Sequence, residues 1–233
     1  MTQFWGGDVK PIPVFIGYDH RQPLSYTALC QSIIDHAKVP VAISPIVLDT
    51  LPMKRAGLTP FTFSRFMVPW LMGYMGWAIF LDLDILVLGD IGELWAMRDE
   101  KFSVMATKHE GALAFERASV MLMNCHKCGI LTPEYVETAK ALHNLSWVPD
   151  EEIGDIPHEW NHLVGYDAPR ADAKLLHFTQ GIPAFPETQD SEYATEWVAS
   201  AKRAVSAASW RELMGPSVHA KPVLERLLAK TAA

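Results

Sequence analysis

Short apolar runs alternate with amphipathic stretches through the first half of the chain. Apolar runs bounded by glycine, proline or acidic residues are typical of strands, whereas apolar residues that recur every three or four positions are typical of helices. We therefore predict strands over 14–17, 43–48, 77–81, 85–88, 102–106, 119–123 and 174–178. Helices are predicted over 23–37, 63–74, 91–97, 133–142, 192–208 and 221–230. This order predicts an α/β fold with a central mixed sheet and C-terminal helices.

The bulk properties of the chain exclude several classes of protein. Its 233 residues are 49% hydrophobic and 20% charged, which is enough for a sizeable core in a single domain. A net charge of −7 and no basic stripe argue against nucleic acid and anionic membrane surfaces as partners. The longest uncharged run, 66–81, is shorter than the about 20 residues of a membrane span. Three cysteines and no basic, apolar leader predict a reducing, cytoplasmic location without a signal peptide.

Asp82 and Asp84 interrupt the apolar run 77–88, and this acidic pair is the most informative feature of the sequence. Side chains two positions apart in an extended segment point to the same side. Two adjacent carboxylates repel each other and are costly to bury unless a cation lies between them. Oxygen ligands suit Mn²⁺ or Mg²⁺, which keep positions free for phosphate oxygens. The pair therefore indicates a metal–diphosphate site, and the other interpretation is a solvated structural turn.

Six short segments occur in an order that resembles the GT-A fold glycosyltransferases, especially the family 8-like group that uses nucleotide-diphosphate sugars. They are VFIGYD (14–19), FSRF (63–66), FLDLD (80–84), VMLMNC (120–125), EWN (159–161) and LHFT (176–179). The resemblance extends from residue 14 to about 185. It implies a single GT-A-like domain with a nucleotide-binding half over about 1–110, an acceptor-side half over 111–187 and C-terminal helices over 188–233.

The resemblance also implies how the chain holds a metal and a nucleotide. Asp82 and Asp84 would hold Mn²⁺ or Mg²⁺, with His177 as the third protein ligand. Arg65 would reach the diphosphate or the donor sugar, because its fixed charge and planar fork suit phosphate. The nucleotide pocket would be lined by Gly17, Tyr18 and Asp19, with the backbone close to the base because Gly17 has no side chain.

Other residues would act on the sugars and the leaving group. Asn124 and Asn161 would lie near the donor and acceptor sugars. The family often has a lysine after the histidine that neutralises the leaving phosphate, but the segment from His177 to Pro183 contains none. We therefore expect the backbone N–H of Gly181 to serve instead. No carboxylate can be assigned as a covalent nucleophile from the sequence.

The activity that the resemblance implies is transfer of a hexose from a nucleoside diphosphate sugar, UDP-linked, to a hydroxyl of a glycan or other acceptor, with retention. A non-catalytic sugar-nucleotide or glycan-binding protein on the same fold is the alternative.

Two further motifs suggest different chemistry. The segment 158–162 reads HEWNH and matches the HExxH pattern of zinc peptidases, which requires both histidines on one face of a helix. Pro157 and Gly165 leave room for only a short helix there, and Ala168 stands where an extended motif would place its third ligand. Cys125 and Cys128 form a single CxxC motif. We interpret them as buried thiols, and a redox or metal-binding role is the alternative.

Overall fold

The computed structural model describes residues 10–109 and 111–231. The prediction of no signal peptide depends on residues 1–9, which lie outside the described residues. The strands are β1 Ile12–Gly17, β2 Val41–Ile46, β3 Trp77–Leu81, β4 Ile85–Val87, β5 Val104–Ala106, β6 Val120–Asn124, β7 Ile153–Asp155, β8 His162–Leu163 and β9 Leu175–His177. The helices are α1 Pro23–His36, α2 Phe61–Ser64, α3 Val68–Leu71, α4 Ile91–Ala96, α5 Pro133–Thr138, α6 Ala194–Ala204, α7 Trp210–Met214 and α8 Lys221–Thr231.

The main sheet has six strands in the order β2-β1-β3-β6-β5-β7. Strand β1 runs parallel to both β2 and β3, whereas β6 runs antiparallel to β3 and β5. Strand β7 is parallel to β5 at the far edge. The prediction of a central mixed sheet is therefore confirmed.

Strand β3 lies at the centre of this sheet and is buried along its whole length. Its side chains alternate between two cores, with Trp77, Ile79 and Leu81 in one and Ala78 and Phe80 in the other. A strand covered on both faces needs apolar residues at every position, which is why the sequence reads as a continuous apolar run rather than an alternating one.

A second sheet of three strands, in the order β4-β9-β8, begins directly after the acidic pair. Strand β4 therefore does not continue β3, because the chain turns at Leu83 and Asp84 and enters the smaller sheet. Strand β9 runs antiparallel to β4, and Ile85 lies opposite His177. This register brings a residue from late in the chain beside the acidic pair.

Two predicted helices are shorter or more broken than their patterns suggest. The stretch 63–74 is divided into α2, a 3₁₀ turn over Arg65–Met67, and α3. Pro69 lies in the first turn of α3, where its missing N–H costs no helical hydrogen bond. Helix α5 ends at Thr138 rather than 142, because the backbone becomes extended at Ala139. Arg55 Nη1 donates to the carbonyl oxygens of Val136 and Ala139 at 2.9 and 2.6 Å.

The C-terminal region contains three helices. Helix α7 is absent from the sequence-based prediction, yet it begins at a capping box formed by Ser209 and Glu212. Helix α6 packs on α1, and Ser200 Oγ donates to the carbonyl of Ala28 at 3.0 Å. None of the helices in the described part of the chain has both the length and the apolar character that a membrane span requires.

Candidate active site

An open cavity of about 330 Å³ lies where β3 ends and the chain turns towards the second sheet. Its polar wall contains Arg65, Asp82, Asp84, Glu116, Ser119 and His177. The wall thus brings together four of the residues that the sequence predicts for the site and adds two that it does not. The cavity lies at the carboxyl end of β3, which is the edge where α/β sheets commonly bind ligands.

The turn that carries the acidic pair is held by buried hydrogen bonds from three directions. Ser25 Oγ on α1 donates to the carbonyl of Leu83 at 2.9 Å. The N–H of Asp82 donates to the carbonyl of Ser119 at 2.9 Å. The N–H of Phe178 donates to the carbonyl of Asp84, also at 2.9 Å. The two aspartates therefore lie in a fixed turn at the end of β3, and not in the extended segment from which their shared orientation is inferred.

Asp82, Asp84 and His177 form the candidate metal centre. One ligand atom from each residue lies within 4.8 Å of the others, and His177 Nε2 is 3.3 Å from Asp84 Oδ1. Asp82 Oδ1 is buried and accepts no hydrogen bond. A buried carboxylate oxygen without a partner is costly, and a cation bound there would remove that cost. The donor set of two carboxylates and one imidazole thus fits a divalent ion such as Mn²⁺.

Burial and neighbouring charges raise the pKa values of two residues in the site. Burial raises the pKa of Asp82 to about 7, helped by Asp84 and opposed by Arg65. Burial on its own would lower the pKa of His177, but the neighbouring carboxylates of Asp84, Glu116 and Asp82 outweigh it and raise that pKa to about 9. A bound cation and protons would therefore compete for the same carboxylate and imidazole atoms.

Arg65 lies at the cavity wall and binds Asp82 from the side away from its unpartnered oxygen. Its Nη1 donates to Asp82 Oδ2 and to the carbonyl of Ala118, each at 3.0 Å. Both side chains of the ion pair are less than 10% exposed, at 7% and 8%. Arg65 therefore orients Asp82 and leaves its Oδ1 available for a cation.

Asn161 is fully buried and contacts His177 instead of the cavity. Its Oδ1 is 3.2 Å from His177 Nδ1, and its Nδ2 donates to the carbonyl of Glu116 at 3.1 Å. Asn161 is expected near the sugars, but its side chain contacts His177, the candidate metal ligand, on the side opposite the nitrogen that faces Asp84.

Asn124 lies at the opposite end of the sheet from the candidate site. Strand β6 is antiparallel to β3, so Val120 pairs with Leu81 and Asn124 pairs with Trp77. Four steps along the strand, at about 3.3 Å each, separate its two ends by about 13 Å. Asn124 Nδ2 donates to Glu100 Oε2 at 3.2 Å and to a backbone carbonyl. The expectation that Asn124 lies near the donor and acceptor sugars is wrong, because the strand runs away from the site.

Gly17 ends β1, and the other predicted nucleotide-pocket residues, Tyr18 and Asp19, follow it. They reach the same sheet edge as Asp82, because Ile16 pairs with Leu81. A Cβ on Gly17 would lie 2.5 Å from the Phe61 side chain. The absent side chain therefore makes room for Phe61, which lines the cavity, and a close approach of the Gly17 backbone to a base stays a prediction. Tyr18 packs edge-on against Tyr26, with ring centroids 5.5 Å apart.

Asp19 is fully buried and is already paired. Arg21 Nε donates to Asp19 Oδ1 at 2.9 Å. Hydrogen bonds from Arg21 hold the pKa of Asp19 below its usual value. A guanidinium from Arg21 also reaches the carbonyl of Leu58, a residue of the cavity wall, at 3.3 Å. Asp19 therefore supports the loop beside the cavity through Arg21.

The backbone N–H of Gly181 is not available to a leaving phosphate. It donates to the carbonyl of Phe178 at 2.8 Å. Gly181 has a φ of +124°, a conformation that favours glycine, and lies against Phe185 and Thr188. The expectation that Gly181 replaces the missing lysine is wrong, because this tight turn uses its donor internally. Arg65 is the sole lysine or arginine among the described residues of the cavity wall.

Glu116 and Ser119 are two of the cavity residues that sequence reasoning missed, and they are the two that lie next to His177 and Asp82. Ser119 Oγ donates to Glu116 Oε2 at 2.9 Å, and this oxygen lies 3.7 Å from His177 Nδ1. Glu116 belongs to a 3₁₀ segment without strand or helix periodicity, so its sequence carries no signal. Ser119 directly precedes β6, and the antiparallel pairing of β6 with β3 would have placed it beside Asp82.

The two competing motifs form neither of their proposed sites. Residues His158–Trp160 make a single 3₁₀ turn, and β8 starts at His162, so the HExxH histidines do not share a helical face. The Asp82, Asp84 and His177 group is the only metal-type cluster found among the described residues. Cys125 and Cys128 are free, buried thiols, and burial raises both pKa values, that of Cys125 to about 12.

Comparisons with known proteins agree with this architecture. No family model matches the chain. Protein CDI of Arabidopsis thaliana is 37% identical, with 81% of this chain and 85% of that protein covered.

Several solved glycosyltransferases share the fold at low sequence identity. The WbbM bifunctional glycosyltransferase has a TM-score of 0.65 at 16% identity over 92% of this chain, and GlyE of Streptococcus pneumoniae TIGR4 has 0.63 at 16% over 82%. The chain spans 52% of the WbbM structure and 60% of GlyE. The galactosyltransferase LgtC, solved with donor and acceptor sugar analogs, has a TM-score of 0.60 at 10% identity over 86% of this chain and 99% of its own. This chain therefore has the GT-A glycosyltransferase fold and belongs to the same protein family as Protein CDI.

Proposed function

We propose that this chain is a metal-dependent glycosyltransferase that moves a hexose from a nucleoside diphosphate sugar, UDP-linked, to a hydroxyl of a glycan or other acceptor, with retention. The observation that carries the proposal is the Asp82, Asp84 and His177 cluster in the wall of an open cavity. The GT-A fold supports it, because the solved neighbours described above are glycosyltransferases.

The residues present fit a bound Mn²⁺ or Mg²⁺. Asp82 and Asp84 would supply carboxylate oxygens, and His177 would supply Nε2, the nitrogen that faces Asp84. When bound, the ion would neutralise the negative charge that develops on the departing diphosphate.

The chain's own groups would position the reactants around that ion. Arg65 keeps Asp82 in place through their buried ion pair. Glu116 offers a carboxylate that accepts hydrogen bonds from sugar hydroxyls. Tyr166 lies at the cavity wall with 53% of its surface exposed, and an exposed aromatic ring offers an apolar face for a sugar ring.

Three observations favour the non-catalytic alternative. Gly181 uses its N–H internally and no lysine follows His177, while Arg65 is already bound to Asp82. Compensation of the leaving-group charge would then fall almost entirely to the metal. A binding protein on this fold would bind the sugar nucleotide tightly but cleave it slowly.

The experiment measures binding and turnover separately. Titration with UDP in the presence of Mn²⁺ measures binding, and a UDP-release assay over a panel of nucleotide sugars measures turnover. We expect release that requires the metal, and a loss of at least about 100-fold in Asp84→Asn, which retains the shape but not the charge of a ligand. Asp150→Asn is the matched control, because Asp150 is exposed and does not line the cavity.

The outcomes separate the candidates. Full activity in Asp84→Asn would refute the metal role. Binding of UDP and Mn²⁺ without any release over the panel would favour the non-catalytic protein.

A further inference from the structure

Three buried side chains form a hydrogen-bonded line behind the candidate metal ligand. His109 Nε2 lies 3.2 Å from Asn161 Nδ2, and Asn161 Oδ1 lies 3.2 Å from His177 Nδ1. His109, Asn161 and His177 are 7%, 0% and 2% exposed. Distances alone do not determine where the protons lie, because an amide can be reversed and an imidazole has two neutral tautomers.

The carbonyl oxygen of Glu116 removes this ambiguity. It lies 3.1 Å from the Nδ2 atom of Asn161, and a carbonyl oxygen can only accept a hydrogen bond. A reversed Asn161 amide would place two oxygen atoms against each other. The NH₂ group of Asn161 must therefore face Glu116 and His109, and its oxygen must face His177.

The position of the Asn161 amide then determines both imidazoles. The second hydrogen of the NH₂ group points to His109 Nε2, which must carry a lone pair, so His109 is neutral with its proton on Nδ1. Asn161 Oδ1 accepts the Nδ1–H of His177, so Nε2 is the nitrogen left for Asp84, 3.3 Å away. Burial and the neighbouring His158 also lower the pKa of His109 to about 4, in agreement with a neutral ring.

We propose that His109 is a positioning residue that acts through Asn161 to hold the ring of His177 with Nε2 directed at the metal. The inference deepens the proposed function and rests on it for the role of His177 as a ligand. Loss of a group that orients a ligand histidine typically lowers metal affinity, or the activity that depends on the metal, by about 10–100-fold.

The first test compares two substitutions of His109 by titration with Mn²⁺ alone. His109→Phe retains the ring but removes the acceptor, and we expect about 10-fold weaker binding or worse. His109→Gln places an acceptor near Asn161 Nδ2, and we expect it to restore affinity to within about 3-fold of the wild type. His126→Phe is the control, because His126 is exposed and follows β6 at the far end of the sheet.

Wild-type affinity in a folded His109→Phe chain, or equal losses in the Phe and Gln variants, would overturn the proposal. The comparison uses metal affinity, so it does not depend on finding the sugar donor.

The second test uses the wild-type chain and covers a variant that fails to fold. Nitrogen-15 NMR of the metal-free protein at pH 7 should show His109 as the neutral Nδ1–H tautomer. A neutral Nε2–H form or a charged ring at His109 would overturn the proposal. The expected tautomer in a chain that binds no Mn²⁺ would support the hydrogen-bonded line and refute the metal in the proposed function.

Discussion

Binding of Mn²⁺ should strengthen steeply as pH rises. In the metal-free site the pKa of His177 is raised to about 9 and that of Asp82 to about 7. Below these values the two groups hold protons, and a protonated imidazole or carboxyl cannot act as a ligand. The metal must therefore displace protons, and this competition weakens as pH approaches 9.

The size of the effect follows from the two pKa values. At pH 7 the proton on His177 weakens apparent binding about 100-fold, and that on Asp82 about 2-fold. At pH 8 the proton on His177 weakens apparent binding about 10-fold, and that on Asp82 has almost no effect. Apparent affinity should thus rise about 15-fold from pH 7 to 8 and about 50-fold from pH 6 to 7, with about 1.5 protons released per ion at pH 7.

Isothermal titration calorimetry at pH 6, 7 and 8 measures both quantities. Runs in two buffers of different ionisation enthalpy give the number of protons released. His177→Gln should lower the proton release at pH 7, because it removes the group with the higher pKa. The exposed His126 offers a control, and His126→Gln should leave release unchanged. Equal affinity from pH 6 to 8 without proton release would refute the reasoning.

Two further substitutions test the assignments at opposite ends of the sheet. Arg65→Met should lower the free energy of unfolding at pH 8 by about 3–5 kcal/mol, because buried Asp82 would lose its direct ion-pair partner. An unchanged urea midpoint would contradict the pairing. Asn124→Ala should cost about 1–2 kcal/mol of stability through lost hydrogen bonds to Glu100 and the Phe102 carbonyl. Its Mn²⁺ affinity should equal that of the wild type, and weaker metal binding would return Asn124 to the site.

Features that depend on local pattern could be predicted from the sequence. Strand β3 and helix α1 follow from runs whose periodicity and terminating residues are local. The acidic pair was identified because charge beside a buried strand is costly without a partner. The placement of His177 near it came from family resemblance, since only the pairing of β9 with β4 brings the residues together.

Features that depend on strand direction or backbone turns could not be predicted. Asn124 ends an apolar strand, as a residue near a ligand often does, but the sequence does not show that β6 runs antiparallel and ends at the far edge. Glu116 reaches the cavity from an irregular segment. The N–H of Gly181 is used by a turn that closes on the carbonyl of Phe178, and the sequence around Gly181 does not show that this donor is taken.

The metal centre is most directly tested by anomalous diffraction from crystals soaked with Mn²⁺ and UDP. The account predicts one manganese peak that bridges Asp82, Asp84 and the Nε2 atom of His177, with the diphosphate of UDP on its open side. A manganese peak elsewhere, or UDP bound with no metal between these three side chains, would contradict it.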